Sequence, residues 1–192
     1  RKAYVFVSNH RDIVLDTSLL NVALYDNHLS MTASAMGDNL LRKKYLKILA
    51  MLNRNIIIYR SLPPREALEH SKLVSEYIYH CITEEHRNVW IAQREGRTKN
   101  GDDRTQQGVL KMLTLNAPED ISPLQYLKTL NLVPMSISYE FDPTDLLKLP
   151  ALIAQHNGVE YVKSKKEDFE NIIQGLLGQK GRVHISVGQP LY

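Results

Sequence analysis

The chain has 192 residues, 43% hydrophobic and 23% charged, with 24 Lys/Arg against 21 Asp/Glu. That balance excludes wholesale disorder and fibrous repeats, and at about 100–200 residues per domain the length fits one domain over 1–192. The single Cys81 excludes a disulfide framework and points to a cytosolic compartment, and no apolar run approaches the roughly 18–20 residues that span a bilayer.

Strand and helix signals alternate along the chain. A β-rich run over 3–8 precedes a helix over 17–25, for which Asp16 and Thr17 are both candidate N-caps. A weaker strand over 31–36 closes at Gly37-Asp38-Asn39. The segment 40–52 is amphipathic, with Leu41, Tyr45, Ile48, Leu49 and Leu52 at helical spacing and Arg42, Lys43, Lys44 and Lys47 opposite. Such a stripe ordinarily packs on a sheet, although a basic amphipathic helix also suits an anionic membrane surface. The clearest buried strand is 55–60, stopped by Pro63-Pro64, where a long helix begins and runs to about 86. A strand over 89–92, a polar stretch over 95–107 and helices over 108–115 and 123–130 follow. A strand over 132–141, a helix restarting at Asp142-Pro143, a helix over 166–177 and a strand over 181–187 complete the pattern. The alternation predicts an α/β domain with a largely parallel, mixed sheet flanked by helices. Because the chain starts at Arg1, without Met and directly before a strand, it reads as a piece of a longer one.

Charge is uneven: residues 1–112 hold 17 Lys/Arg and 12 Asp/Glu, residues 113–192 hold 7 and 9. A cationic first half favours anionic ligands such as phosphates or lipid head groups. Nucleic acid is disfavoured, since no aromatic stacking platforms interleave the basic residues. No His/Cys/carboxylate set has convincing metal-ligand spacing, so no metal and no bound cofactor are expected.

In an open α/β sheet ligands bind beyond the carboxyl ends of strands. The first strand delivers Asn9-His10 there, with Asp12 and Asp16 close behind. Histidine can take a proton from a hydroxyl, and a carboxylate on its other nitrogen fixes the tautomer. Taken alone, the segment fits a strand-end histidine beside a helix cap equally well. His10-Arg11-Asp12 also spells a kinase catalytic-loop tripeptide, but Thr17 stands where the metal-binding Asn is needed and no Asp-Phe-Gly exists.

Asn9-His10 with Asp16 resembles the first motif of the glycerophospholipid acyltransferases, which include the lysophosphatidic acid and glycerol-3-phosphate acyltransferases. Further blocks are similar and in order: Ile56-Ile57-Ile58-Tyr59-Arg60, then Glu95-Gly96-Arg97-Thr98, then Val133-Pro134-Met135, and a closing strand before Gly188. Two departures stand out. Five residues separate His10 from Asp16, one more than usual, so Asp16 reaches His10 over a bulged turn or Asp12 takes its place; Asp16 is preferred because Asp16-Thr17 opens the helix. In the third block Arg97 and Thr98 are exchanged relative to the family's Glu-Gly-Thr-Arg.

The resemblance implies transfer of a fatty acyl group from acyl-CoA or acyl carrier protein to the hydroxyl of glycerol-3-phosphate or a lysophospholipid, at the cytoplasmic membrane surface as a peripheral protein. His10 is then the general base and Asp16 its orienting carboxylate. Arg60 and Arg97 are the phosphate ligands, and Glu95, Gly96 and Pro134 belong to acceptor binding. Backbone N–H groups near the first helix are expected to hold the oxyanion. Lys99, Arg104 and Lys111 read as solvated, and Cys81 as core. The altered third block also allows a phosphate-free acceptor such as an amino-acid-containing lipid. A third reading is a lipid-binding module without turnover.

Overall fold

Short runs of β-branched and aromatic residues make the sheet, and α1 on one face and α3, α4 and α5 on the other cover it. The computed structural model describes residues 2–41, 43–164 and 166–191; Arg42, part of the basic face above, lies outside them. Six strands, β1 (Val5–Ser8), β2 (Thr32–Gly37), β3 (Ile56–Ile58), β4 (Asn88–Ala92), β5 (Leu132–Tyr139) and β6 (Val183–Val187), form one sheet in the order β3-β2-β4-β1-β5-β6. All neighbours are parallel except β5 and β6. Helices α1 (Leu15–Asp26), α2 (Lys44–Leu52), α3 (Pro64–Thr83), α4 (Gln107–Leu113), α5 (Pro123–Thr129), α6 (Asp145–His156) and α7 (Glu167–Leu177) connect them. The expected single α/β domain is what forms.

Period-2 alternation divides the core. Val5, Val7, Val89, Ile91 and Leu132 pack on α3, α4 and α5 through Ile78, Cys81, Leu113, Tyr126 and Leu130. Phe6, Trp90, Val133 and Met135 face the other way and meet Leu20 of α1. With both faces covered, β1 is buried at every position, the usual state of a central parallel strand. Cys81 is fully buried in α3, where burial pushes its thiol pKa up and disfavours the reactive thiolate.

Three local expectations are corrected. The helix over 40–52 begins only at Lys44, because Asp38–Leu40 forms a 3-10 turn closed by Leu41 N–H on Asp38 C=O. Its apolar stripe does not pack on the sheet: Tyr45, Ile48, Leu49 and Leu52 are exposed, and Ala50 is the buried residue of α2. The helix α3 stops at Thr83, where His86 turns left-handed and Arg87 N–H closes on Cys81 C=O at 2.8 Å. Among the described residues no helix is long and apolar enough to cross a membrane.

Candidate active site

The strands β1 to β4 deliver their following residues to one edge, and an amide extends the first of them. Asn9 continues the β1–β5 ladder with its side chain: Oδ1 accepts Ile137 N–H at 2.8 Å and Nδ2 donates to Ile137 C=O at 3.0 Å. That pair of hydrogen bonds fixes the turn on which His10 stands.

His10 Nδ1 lies 2.8 Å from Asp16 Oδ2, with side-chain exposures of 17% and 1%. The bulged turn is closed by the same carboxylate, which accepts Arg11 N–H at 2.7 Å and Asp12 N–H at 3.1 Å. Asp12 does different work. Its Oδ1 accepts the Val14 and Leu15 N–H groups, each at 2.9 Å, and so satisfies the first turn of α1. Neither Asp16 nor Thr17 is the N-cap; the helix starts at Leu15, and capping by Asp12 leaves Asp16 free to turn toward His10. The amides of Arg11, Asp12, Val14 and Leu15 are thereby occupied, so the backbone near α1 offers fewer oxyanion donors than expected.

A cavity of about 410 Å³ opens beside this pair, walled by His10, Trp90, Arg60, Arg94, Glu95 and Gly96, among others. Trp90 meets the imidazole edge-on at 5.6 Å between centroids. Arg60 reaches the cavity over Gly37, where an added Cβ would stand 2.6 Å from the guanidinium Nε and 2.5 Å from Asn39 Oδ1 and so displace both side chains. The Arg60 backbone N–H donates to Asp38 Oδ1 at 3.2 Å, and its guanidinium lies 3.6 Å from Glu95, an exposed and weakly held pair. Gly96 turns the chain at φ +69°, a left-handed conformation that favours glycine.

Two residues of the predicted set sit elsewhere. Arg97 leaves the cavity: it donates to Thr144 Oγ1 at 3.3 Å and Asn171 Oδ1 at 2.9 Å, clamping the third-block loop to α6 and α7. Burial pushes its guanidinium below the usual range, opposed by the carboxylates of Asp12, Asp142, Asp168 and Asp16. Pro134 pairs opposite Val7 and its carbonyl accepts Gly188 N–H at 2.8 Å. By strand alternation its ring lies on the face away from Trp90, outside the cavity wall.

Sequence reasoning missed two others. Arg94 stands two residues past β4 and lines the cavity; its Nη1 donates to Asp102 C=O at 3.2 Å, and its Nε is shielded from solvent with no hydrogen-bond partner among the described residues. Its place just past a parallel strand was the available signal. Tyr139, the last residue of β5, donates to Asp16 Oδ1 at 2.7 Å. Burial first, then the neighbouring Asp16 carboxylate, pushes this phenol far above its ordinary range, so it stays an O–H donor.

A buried carboxylate fixing Nδ1 of a histidine whose ring edges a cavity is the arrangement general-base chemistry needs. The Acyltransferase family model matches residues 1–138, which include His10, Asp16, Arg60 and Arg94 to Arg97. The chain belongs to the Acyltransferase family. The match fits the glycerophospholipid acyltransferase resemblance and assigns acyl transfer as the class of activity. A comparison with curated proteins finds no match. Within this acyltransferase, α6, α7 and β6 follow the matched region, and the Arg97 clamp ties two of them back to it.

A second, larger groove of about 830 Å³ adjoins the first and shares Ile13, Thr17, Ser34, Met36 and Leu40 with it. Apolar side chains of α2 and α7, including Leu46, Leu49, Phe169 and Ile172, wall part of it, and α1 contributes the polar Thr17, Ser18 and Asn21. The exposed stripe of α2 therefore borders this groove.

Proposed function

We propose that this acyltransferase moves a fatty acyl group from acyl-CoA or acyl carrier protein to the hydroxyl of glycerol-3-phosphate or a lysophospholipid. The observation that carries the reading is His10: Nδ1 is held by buried Asp16, which leaves Nε2 for a hydroxyl in a cavity walled by two guanidinium groups. A thioester is already activated, so no covalent enzyme intermediate is needed. His10 Nε2 takes the hydroxyl proton as the acceptor oxygen attacks the thioester carbonyl. The tetrahedral intermediate collapses, and the same proton passes to the departing thiolate. Arg60 and Arg94 hold the acceptor's phosphate, where a guanidinium fork matches two oxygens. The acyl chain lies along the apolar α2 and α7 side of the larger groove, each buried methylene contributing about 0.8 kcal/mol. The Lys43, Lys44 and Lys47 side of α2 rests on an anionic cytoplasmic membrane surface beside that groove.

A second reading, a phosphate-free acceptor such as an amino-acid-containing lipid, draws support from Arg97, whose guanidinium is engaged by Thr144 and Asn171. Steady-state kinetics on both acceptor classes separates the two. For a phosphate acceptor, Arg60→Ala raises KM by about 10–100-fold, equivalent to about 1.5–3 kcal/mol for a charge-assisted contact, and leaves thermal stability intact. Arg97→Ala instead lowers the melting temperature by several degrees, because Asn171 and Thr144 lose their partner. A KM unchanged by Arg60→Ala, with phosphate-free acceptors preferred, favours the second reading.

A further inference from the structure

We propose that Tyr139 is a positioning residue for the His10–Asp16 pair, holding Asp16 Oδ1 so that Oδ2 points at His10 Nδ1. Its consequence for turnover rests on the acyl-transfer reading above; its structural content does not. The strand β5 has eight residues and β1 four, and their register ends at Ser8 with Met135, so β5 overruns its neighbour and carries Tyr139 up to α1. The carboxylate it meets serves several donors. Oδ2 accepts from His10 and Arg11 N–H, Asp12 N–H is shared between both oxygens at 3.1 Å, and Tyr139 binds Oδ1 at 2.7 Å. Tyr139 is thus the short, single-acceptor bond on Oδ1. Without it Oδ1 keeps only the shared Asp12 N–H, and the carboxylate, relieved of a donor and turning about a terminal torsion that is broad for Asp, draws the imidazole more strongly toward itself and off its position for the hydroxyl.

Charge around the pair does not replace that bond. Asp12 lies in the turn, Asp142 follows β5, Arg97 comes from the third-block loop, and Lys180 stands 5.9 Å over the Tyr139 ring. These supply potential; the phenol supplies a direction. A donor on Oδ1 also draws electron density from the carboxylate and so sets the strength of the His10 bond on the other oxygen.

Tyr139→Phe keeps the ring beneath Lys180 and removes the O–H alone. The expected result is a kcat about tenfold lower, with KM for thioester and acceptor within about twofold of the parent. In proton NMR the His10 Nδ1–H resonance moves downfield, because the freed carboxylate accepts more strongly from His10. Uniform 3-fluorotyrosine, a stronger donor, moves the same resonance upfield without any substitution. An unmoved resonance in either protein, or an unchanged kcat in folded Tyr139→Phe, overturns the proposal. Should Tyr139→Phe not fold, the fluorotyrosine protein decides. The resonance needs no turnover: if it shifts while the parent protein transfers no acyl group, the positioning link stands and the acyl-transfer reading fails.

Discussion

His10→Ala is expected to lower kcat for acyl transfer by about 10²–10⁴-fold, the usual worth of a positioned general base. That corresponds to about 3–5 kcal/mol of barrier. The fold should survive. The imidazole contributes one hydrogen bond, to Asp16, and an edge contact with Trp90. When it is removed, Asp16 keeps the N–H groups of Arg11 and Asp12 and the Tyr139 hydroxyl, so no buried carboxylate is left without donors. Turnover measured beside a thermal melt checks both halves: the melt stays near that of the parent and the rate collapses. Near-normal turnover would remove His10 from the mechanism.

The second large effect belongs to Asp16→Asn, for which kcat should fall by about 10³–10⁴-fold. Both carboxylate oxygens accept hydrogen bonds, from His10 and Arg11 on one side and from Tyr139 on the other. An amide places its –NH₂ against one of these donors. If it faces His10, the imidazole reverses its tautomer and Nε2 carries a proton where it should accept one. If it faces Tyr139, a buried donor is stranded at a cost of about 1–3 kcal/mol in stability. Asp12→Asn is the control. The Asp12 oxygen that accepts Val14 and Leu15 N–H has an equivalent in an asparagine, a good capping residue, so turnover should remain within about fivefold. Should only the Asp12 change abolish turnover, the pairing with Asp16 would not be the working one.

These residues also show what a sequence carries and what it leaves to tertiary structure. Strand existence was plain from runs such as Ile56-Ile57-Ile58, because β-branched residues suit a pleated surface, although the expected buried strand over 55–60 forms only over Ile56–Ile58, at the sheet edge with Ile56 alone buried. Strand order and register are long-range properties, and Tyr139 hides in them: nothing local says that β5 overruns β1. His10 and Asp16 could be named as a pair from motif spacing, but which acid caps the helix could not. Capping depends on how a one-residue bulge turns, and Asp12 took the role offered to Asp16. Arg97 illustrates competition between partners. Its motif position suggested phosphate, whereas Thr144 and Asn171, far away in sequence, supply the acceptors it finds. For α2 the apolar stripe was legible and its neighbour was not, since amphipathic spacing says that a face prefers burial without saying what lies opposite.

The most direct test of acyl transfer with His10 as base measures two products together. The protein is incubated with acyl-CoA, and separately with acyl carrier protein carrying the same chain, in the presence and absence of glycerol-3-phosphate, lysophospholipids and amino-acid lipids. Released thiol is counted against acylated acceptor identified by mass spectrometry. The account predicts thiol release that depends on acceptor, matches ester formed one for one, and disappears in His10→Ala. Lipid binding with no thiol released for any acceptor, or thiol released only as free fatty acid forms, would contradict it.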